Sequence, residues 1–149
     1  MCTPGFDPTA IGSTSLPGSA VCVDVQAETV YVAGQGAGLQ VLDVTDPTAP
    51  TVLGSVSLDG SPKAVQVVGD IAYVAAHAGG LQIVNVSDPT NPTLLGQYAT
   101  PNYTFDVHVV GTMAYLAEWE HGLTVIDVSD PSNPVQVGHY DPGPIQNGV

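Results

Sequence analysis

The sequence predicts an all-β fold built from one unit that recurs along the chain. Three segments align without a gap, because Tyr31-Val32-Ala33 matches Tyr73-Val74-Ala75 and Tyr115-Leu116-Ala117 at a constant spacing of 42 residues. Short apolar and β-branched stretches alternate with clusters of Gly, Pro, Asp and Asn, which is typical of strands joined by turns. No segment combines helical spacing with caps, so we expect almost no helix.

Each unit is predicted to form four strands, which are clearest in the middle copy. These strands are expected at Ala64–Val68, Ile71–Ala76, Leu81–Val86 and Thr93–Tyr98. Gly69-Asp70 and Ala78-Gly79-Gly80 supply the first two turns, and the prolines of Asp88–Pro92 end the third strand because proline cannot donate to a ladder. Four strands repeated at this period are typical of the blades of a β-propeller.

The repeat organises residues 1–149 into a single repeat domain. Its units are predicted at about residues 21–62, 63–104 and 105–146. A partial copy precedes them, since Pro8 and Gly12 match Pro50 and Gly54 in spacing. We therefore expect three blades plus one extra N-terminal outer strand at residues 8–16, centred on Thr9–Ser15.

The third strands carry a family resemblance. Leu39–Val44, Leu81–Val86 and Leu123–Val128, with the Asp-Pro-x-x-Pro turn that follows them, resemble the LVIVD repeat over nearly the whole chain. The resemblance implies a β-propeller, often secreted or surface-attached in bacteria or archaea, without one established activity. Because three blades cannot close a ring of roughly four to eight, we expect the array to be completed by self-assembly or to be part of a longer propeller.

The charge balance excludes several partners. The chain has 14 acidic residues against one base, Lys63, and a net charge of −13. Nucleic acid is excluded because phosphate neutralisation needs Lys and Arg, and anionic membrane surfaces are disfavoured for the same reason. No apolar run predicts membrane insertion. The acidic balance favours an extracellular or cell-surface location, although the first residues do not resemble a secretory signal peptide.

Candidate ligand-binding residues lie where one copy departs from the others. The turn between the second and third strands reads Gly34–Ala37 and Ala76–Gly79 in the first two copies, but Glu118–His121 in the third. In a propeller this turn shares a rim with the link into the next blade, which here contains Tyr103. Trp119 and Tyr103 are therefore predicted to form a platform for a glycan or protein ligand, or else only to pack against neighbouring turns.

The same rim offers a candidate metal site. Glu118, Glu120 and His121, with His77 from the adjacent blade, carry oxygen and imidazole donors suited to calcium or a transition metal, although their spacing matches no fixed ligand pattern. The alternative is a solvated acidic turn. A metal-dependent, hydrolase-like enzyme that uses this rim with His108 is the alternative function; we assign no catalytic residue and no resident cofactor.

The inner strands carry a second polar pattern. Asp24, Gln66 and His108 occupy equivalent positions between apolar neighbours, and alternation gives their side chains one orientation. We expect them to approach one another around a central channel. Asp106 lies on the same face as His108, so the two form either an acid–base pair or part of a hydrated polar lining.

Two further features have alternative interpretations. Asp46, Asp88 and Asp130 recur in every unit, which favours Asx turns over calcium ligands because a residue present in each copy is explained by the turn it builds. Cys2 and Cys22 form a disulfide to the N-terminal segment or stay as free thiols. Together the patterns predict an extracellular or cell-surface interaction module that self-associates.

Overall fold

A computed structural model describes residues 9–143, which form twelve β-strands and no helix. The strands are β1 (Ser19–Gln26), β2 (Thr29–Gln35), β3 (Gly38–Asp43), β4 (Thr51–Val56), β5 (Ala64–Val68), β6 (Ile71–Ala75), β7 (Leu81–Asn85), β8 (Thr93–Tyr98), β9 (Thr104–Val110), β10 (Met113–Glu118), β11 (Gly122–Asp127) and β12 (Val135–Tyr140). Over the described residues, no helix is long and apolar enough to cross a membrane.

The strands form three antiparallel sheets of four, with strands side by side in chain order. We call β1–β4 blade one, β5–β8 blade two and β9–β12 blade three, with the first strand of each blade as its inner strand and the fourth as its outer strand. The inner strands contact one another in the order β1, β5, β9. The predicted all-β, propeller-like array of four-stranded blades is confirmed, and the strands of the middle copy end within one residue of their predicted ends.

Apolar side chains between successive blades form the core. The first interface places Tyr31, Leu39 and Val41 of blade one against Val65 and Val67 of blade two. The second interface contains the equivalent residues 42 positions further along: Tyr73, Leu81, Ile83, Val107 and Val109. Because burying each such side chain contributes about 1.5–3 kcal/mol, packing between blades stabilises the array.

The extra N-terminal strand is the part of the prediction that is wrong. Residues 9–18 contain no strand, although Gly12 lies where an outer strand would pass. A Cβ on Gly12 would lie 2.2 Å from the carbonyl oxygen of Pro47, just as one on Gly54 would lie 2.6 Å from that of Pro89. The segment therefore has the expected position, but no third strand among the described residues lies beside it to supply ladder hydrogen bonds.

The predicted disulfide between Cys2 and Cys22 involves a residue outside the described part of the chain. Cys2 lies outside the described residues, and so does any disulfide that it would form. Cys22 lies on β1 and is half-buried beside both interfaces between blades.

Candidate functional site

The two rim segments singled out in the sequence meet, as predicted. The Trp119 amide donates to the carbonyl oxygen of Tyr103 at 3.1 Å, which joins the β10–β11 turn to the link between blades two and three. In blade two, the His77 amide donates to the Thr104 carbonyl at 3.0 Å, and the Thr104 amide donates back to the His77 carbonyl at 3.1 Å. The rim between blades two and three is therefore held by backbone hydrogen bonds.

An aromatic strip runs along this rim. The His77 ring stacks on Tyr103 with centroids 4.0 Å apart and planes 9° from parallel, and it meets Phe105 edge-on at 5.2 Å. Phe105 in turn lies 5.4 Å from Trp119. Trp119 and Tyr103 stay 68% and 48% exposed, so the rings pack on one another while presenting a face to solvent. Their role in binding a glycan or protein stays a prediction.

Phe105 was not among the predicted site residues. Its equivalents in the first two units are Val21 and Lys63. A search of the inner strands for departures from the repeat, like the one applied to the turns, would have found it.

The predicted metal ligands are not brought together. Glu120 is exposed, and the His121 ring faces His139 with centroids 4.7 Å apart, whereas His77 stacks on Tyr103. Within residues 9–143 no three His, Cys, Asp or Glu side chains are grouped so as to hold a metal ion. The hydrolase-like alternative therefore has no specific observation in its favour.

The polar residues of the inner strands connect successive blades. Asp24 Oδ2 accepts a hydrogen bond from the Val67 amide at 2.6 Å, and Gln66 accepts from the Val109 amide at 2.6 Å while donating to the Val109 carbonyl at 3.3 Å. Asp24 and Gln66 thus each bond to the backbone of the next inner strand, and the approach of the three side chains around a central channel stays a prediction.

The third member of that set behaves differently. His108 is exposed, and in the described part of the chain no blade follows β9–β12 to supply its backbone partner. Asp106 is also exposed and accepts from the Val107 amide at 2.9 Å. Among the described residues no hydrogen bond joins Asp106 to His108, so the acid–base pairing gains no geometric support.

The recurring aspartates build turns, as predicted. Asp46 Oδ1 accepts from the Thr48 amide at 2.9 Å and from the Thr48 hydroxyl at 2.6 Å. Asp88 and Asp130 do the same with the residue two positions on. The hydroxyl hydrogen bond, followed by the backbone one, holds the pKa of Asp46 below its ordinary value. These hydrogen bonds favour the Asx-turn interpretation.

A polar corner adjoins the aromatic strip; we define it as the half-buried Thr100 with the buried Thr104 and Glu118. Thr104 and Glu118 are paired across β9 and β10 and are 0% and 2% exposed. The Thr100 and Thr104 hydroxyl oxygens lie 2.8 Å apart. The sequence analysis placed Glu118 in the β10–β11 turn, as a candidate metal ligand or as part of a solvated acidic turn, whereas it is the last residue of β10 and its side chain is buried. The equivalent residue of the second unit is Ala76, which is also buried; its apolar side chain at this position indicates burial.

An open cleft of about 320 Å³ adjoins this corner. It is lined by Ala78 from blade two and by Thr100, Pro101, Asn102 and Tyr103 from the link. Thr100 belongs both to the cleft wall and to the polar corner.

Repeated four-stranded sheets that pack through their inner strands define a propeller-type repeat protein. The family model described as LVIVD repeat matches residues 17–57, 59–100 and 101–142. The chain belongs to the LVIVD repeat family.

Solved structures agree on the fold. The computationally designed Ika4 protein is similar over 91% of this chain and 81% of its own, with a TM-score of 0.70 at 11% identity. The designed Ika8 protein matches 82% of this chain with a TM-score of 0.64 at 11% identity, and this chain spans 37% of it. A chain from a Saccharomyces cerevisiae Dbp5 variant bound to Nup159, a Gle1 variant, IP6 and ADP matches 84% with a TM-score of 0.56 at 14% identity, and this chain spans 35% of it. No curated protein matches the sequence.

Proposed function

We propose that this chain is a structural and interaction module whose blade array is completed by a second copy of the same chain. The observation that carries the proposal is the pair of apolar faces at the two ends of the array. Each face corresponds, residue by residue, to a face that is buried between blades inside the chain.

The first of these faces belongs to blade three. Leu39 and Leu81 are 0% exposed at the two internal interfaces, whereas the equivalent Leu123 is 37% exposed. Tyr115 shows the same contrast with the buried Tyr31 and Tyr73. The exposed face of blade three is thus equivalent to the face of blade one that packs against blade two, and to the face of blade two that packs against blade three.

The second face belongs to blade one and is complementary to the first. Val65 is 7% exposed in blade two, whereas the equivalent Val23 in blade one is 57% exposed, and Val25 repeats the contrast with Val67. Since blade two buries this face against blade one, a second copy can bury its own blade one against blade three. Continued contacts of this kind close a ring or extend a filament, depending on the rotation per copy.

The proposal extends to the setting. An excess of 14 acidic residues over one base suits an extracellular or cell-surface location, because like charge keeps assembled copies soluble. Fractionation of the native cells tests this part, and recovery of the protein only from the cytosol would contradict it.

The mass in solution tests self-association. We expect light scattering after size exclusion to give a mass that rises with concentration above the 15.2 kDa of one chain. Leu123→Asp places a charge at the centre of the exposed face and should return the chain to a monomer.

Leu94→Asp is the matched control, because Leu94 is similarly exposed at 44% but lies on the outer strand of blade two. It should leave the mass unchanged. A wild-type chain that stays at the monomer mass at every concentration would contradict the proposal.

A further inference from the structure

Side-chain hydrogen bonds join each inner strand to the next at one repeating position. Asp24 on β1 accepts from the Val67 amide of β5 at 2.6 Å. Gln66 on β5 accepts from the Val109 amide of β9, also at 2.6 Å. In both cases the acceptor bonds a residue 43 positions further along the chain. The repeat thus carries one such polar contact at each junction between blades, and the residue at the equivalent position of blade three is His108.

The carbonyl oxygen of the receiving residue is also bonded across each junction. Gln26 Nε2 donates to the Val67 carbonyl oxygen at 2.9 Å. Blades two and three have valine at the position of Gln26. In blade two, Gln66 Nε2 donates instead to the Val109 carbonyl oxygen, at 3.3 Å. In blade three, His108 is therefore the polar side chain left to make this bond.

In a second copy docked on blade three as blade two docks on blade one, the residue that receives His108 is Val25. Val25 has the same register beside β2 as Val67 has beside β6, so its backbone groups also point off the free edge of the inner strand. Val25 is 53% exposed, whereas Val67 is 6% exposed. The Val25 amide already donates to Asp24 Oδ1 at 2.8 Å, so this edge presents the Val25 carbonyl oxygen near an aspartate carboxylate.

We propose that His108 binds this edge of a second copy, with its imidazole donating to the Val25 carbonyl oxygen next to the Asp24 carboxylate. The inference rests on the association of copies proposed above, and it names the polar contact that accompanies the apolar faces. The junctions inside the chain bring together Asp24 with Gln66 and Gln66 with His108. The junction between copies brings together His108 with Asp24, so it is the one junction of the three at which a positive charge can meet a negative one.

The titratable groups that face His108 in this contact are acidic or neutral. They are Asp106 on the same face of β9, Tyr115 opposite it on β10, and Asp24 and Glu28 of the second copy. Glu28 belongs to this set because the equivalent Asp70 acts across the first junction on Tyr31. The only lysine, Lys63, lies outside these strands.

Association is therefore linked to protonation of the imidazole. A nearby carboxylate favours the imidazolium form, and an ordinary imidazole titrates near pH 6.5, whereas the carboxylates stay ionised between pH 6 and pH 8. The contact between copies takes up a proton, so association strengthens as the pH falls from about 8 to about 6.

Sedimentation equilibrium at about pH 6 and about pH 8, at constant ionic strength, tests the contact. We expect the wild-type chain to associate at least about threefold more tightly at the lower pH, with a limit of about tenfold per pH unit for one proton taken up per contact. His108→Gln keeps a donor that reaches the carbonyl oxygen, as Gln66 does, but it cannot be protonated. This variant should associate equally at the two pH values.

His139→Gln is the matched control, because it removes the same titratable group from another exposed position. His139 lies on β12, and its ring is 3.2 Å from the hydroxyl of the buried Thr124. Thr124 alternates with Ile126, which packs between blades two and three, so His139 lies on the side of blade three that faces away from the second copy. The control should keep the full pH dependence of the wild-type chain.

Asp24→Asn tests the other side of the contact. The asparagine oxygen can still accept from the Val67 amide, as the Gln66 oxygen accepts from Val109, so the chain should keep its fold by circular dichroism. The variant should lose the pH dependence of association, and adding His108→Gln to it should change that dependence no further.

The outcomes separate this contact from the association on which it rests. A wild-type chain that associates equally at both pH values, or a His108→Gln chain that keeps the wild-type dependence, would overturn the contact and leave self-association standing. A chain that stays monomeric at every concentration and at both pH values would overturn the association and the contact together.

Discussion

Ala27 occupies a turn position that glycine fills in the other two blades. Its φ is +50°, and the equivalent Gly69 and Gly111 have φ of +59° and +60°. A side chain with a Cβ pays about 1–2 kcal/mol for this left-handed conformation, whereas glycine adopts it freely. At this turn the first unit therefore carries backbone strain that the other two units avoid.

Replacing Ala27 should relieve that strain. Ala27→Gly is expected to raise the free energy of unfolding by about 1 kcal/mol, as measured by urea denaturation. Gly69→Ala is the matched reverse change, because a Cβ there would meet no atom within 4 Å and its effect reports the backbone alone. It should lower the free energy of unfolding by a similar amount; the opposite pair of signs would show that the turn is not strained.

At the scale of the element, the Asx turns make the free energy of unfolding depend on pH. The pKa values of Asp43, Asp46, Asp88, Asp127 and Asp130 are all lowered by hydrogen bonds from Thr or Ser two residues on. A carboxylate whose pKa is lower in the folded chain contributes stability above its unfolded pKa, near 3.8. That contribution is lost as the pH falls through the folded pKa.

One turn can be tested by itself. Thr48→Val removes the hydroxyl that donates to Asp46 and should raise the pKa of Asp46 towards its ordinary value, as measured by NMR titration of the side-chain carboxyl carbon. Thr48→Ser keeps a hydroxyl at the same position, as Ser132 does beside Asp130, and should leave the pKa low. An unchanged pKa in Thr48→Val would show that the backbone amide alone sets it.

The same scale shows how far the sequence predicts the structure. Strand ends in the middle copy can be predicted from turn residues such as Gly69-Asp70, because glycine and proline determine the backbone conformation at their own positions. The meeting of Trp119 with Tyr103 follows from the repeat, which fixes which loops share a rim. The thirteenth strand at Thr9–Ser15 failed because a strand needs a hydrogen-bonded neighbour, which spacing alone does not reveal. The burial of Glu118 was missed because a strand boundary that moves by one residue turns an exposed turn residue into a buried strand residue.

At the scale of the whole molecule, the space beside four equivalent glycines shows where one blade packs closely against the next. A Cβ on Gly12, Gly54 or Gly96 would collide with a backbone carbonyl of the blade that follows, at Pro47, Pro89 or Pro131. A Cβ on Gly138 would meet only Val125 of its own blade, at ordinary contact distances. If a second copy docks on blade three in the same geometry, Gly138 approaches Pro47 of that copy, the place that Gly12 already holds.

Opposite effects are therefore expected at two equivalent positions. Gly12→Val should expel the N-terminal segment from the Pro47 turn and strengthen association between copies at least severalfold in sedimentation equilibrium. Gly138→Val should weaken association while leaving the melting temperature of the isolated chain nearly unchanged. Equal effects of the two changes on association would show that the segment and the incoming strand do not share one place.

If copies associate as proposed, the position of Gly12 gives that association a concentration threshold. The segment that carries it is tethered, so its local concentration at the Pro47 turn does not fall when the protein is diluted, whereas the concentration of a second copy does. Below the concentration at which the two are balanced, the segment of each chain would stay at its own Pro47 turn. Above that concentration, an incoming copy would displace the segment. A short irregular stretch would in this way decide when separate molecules become an array.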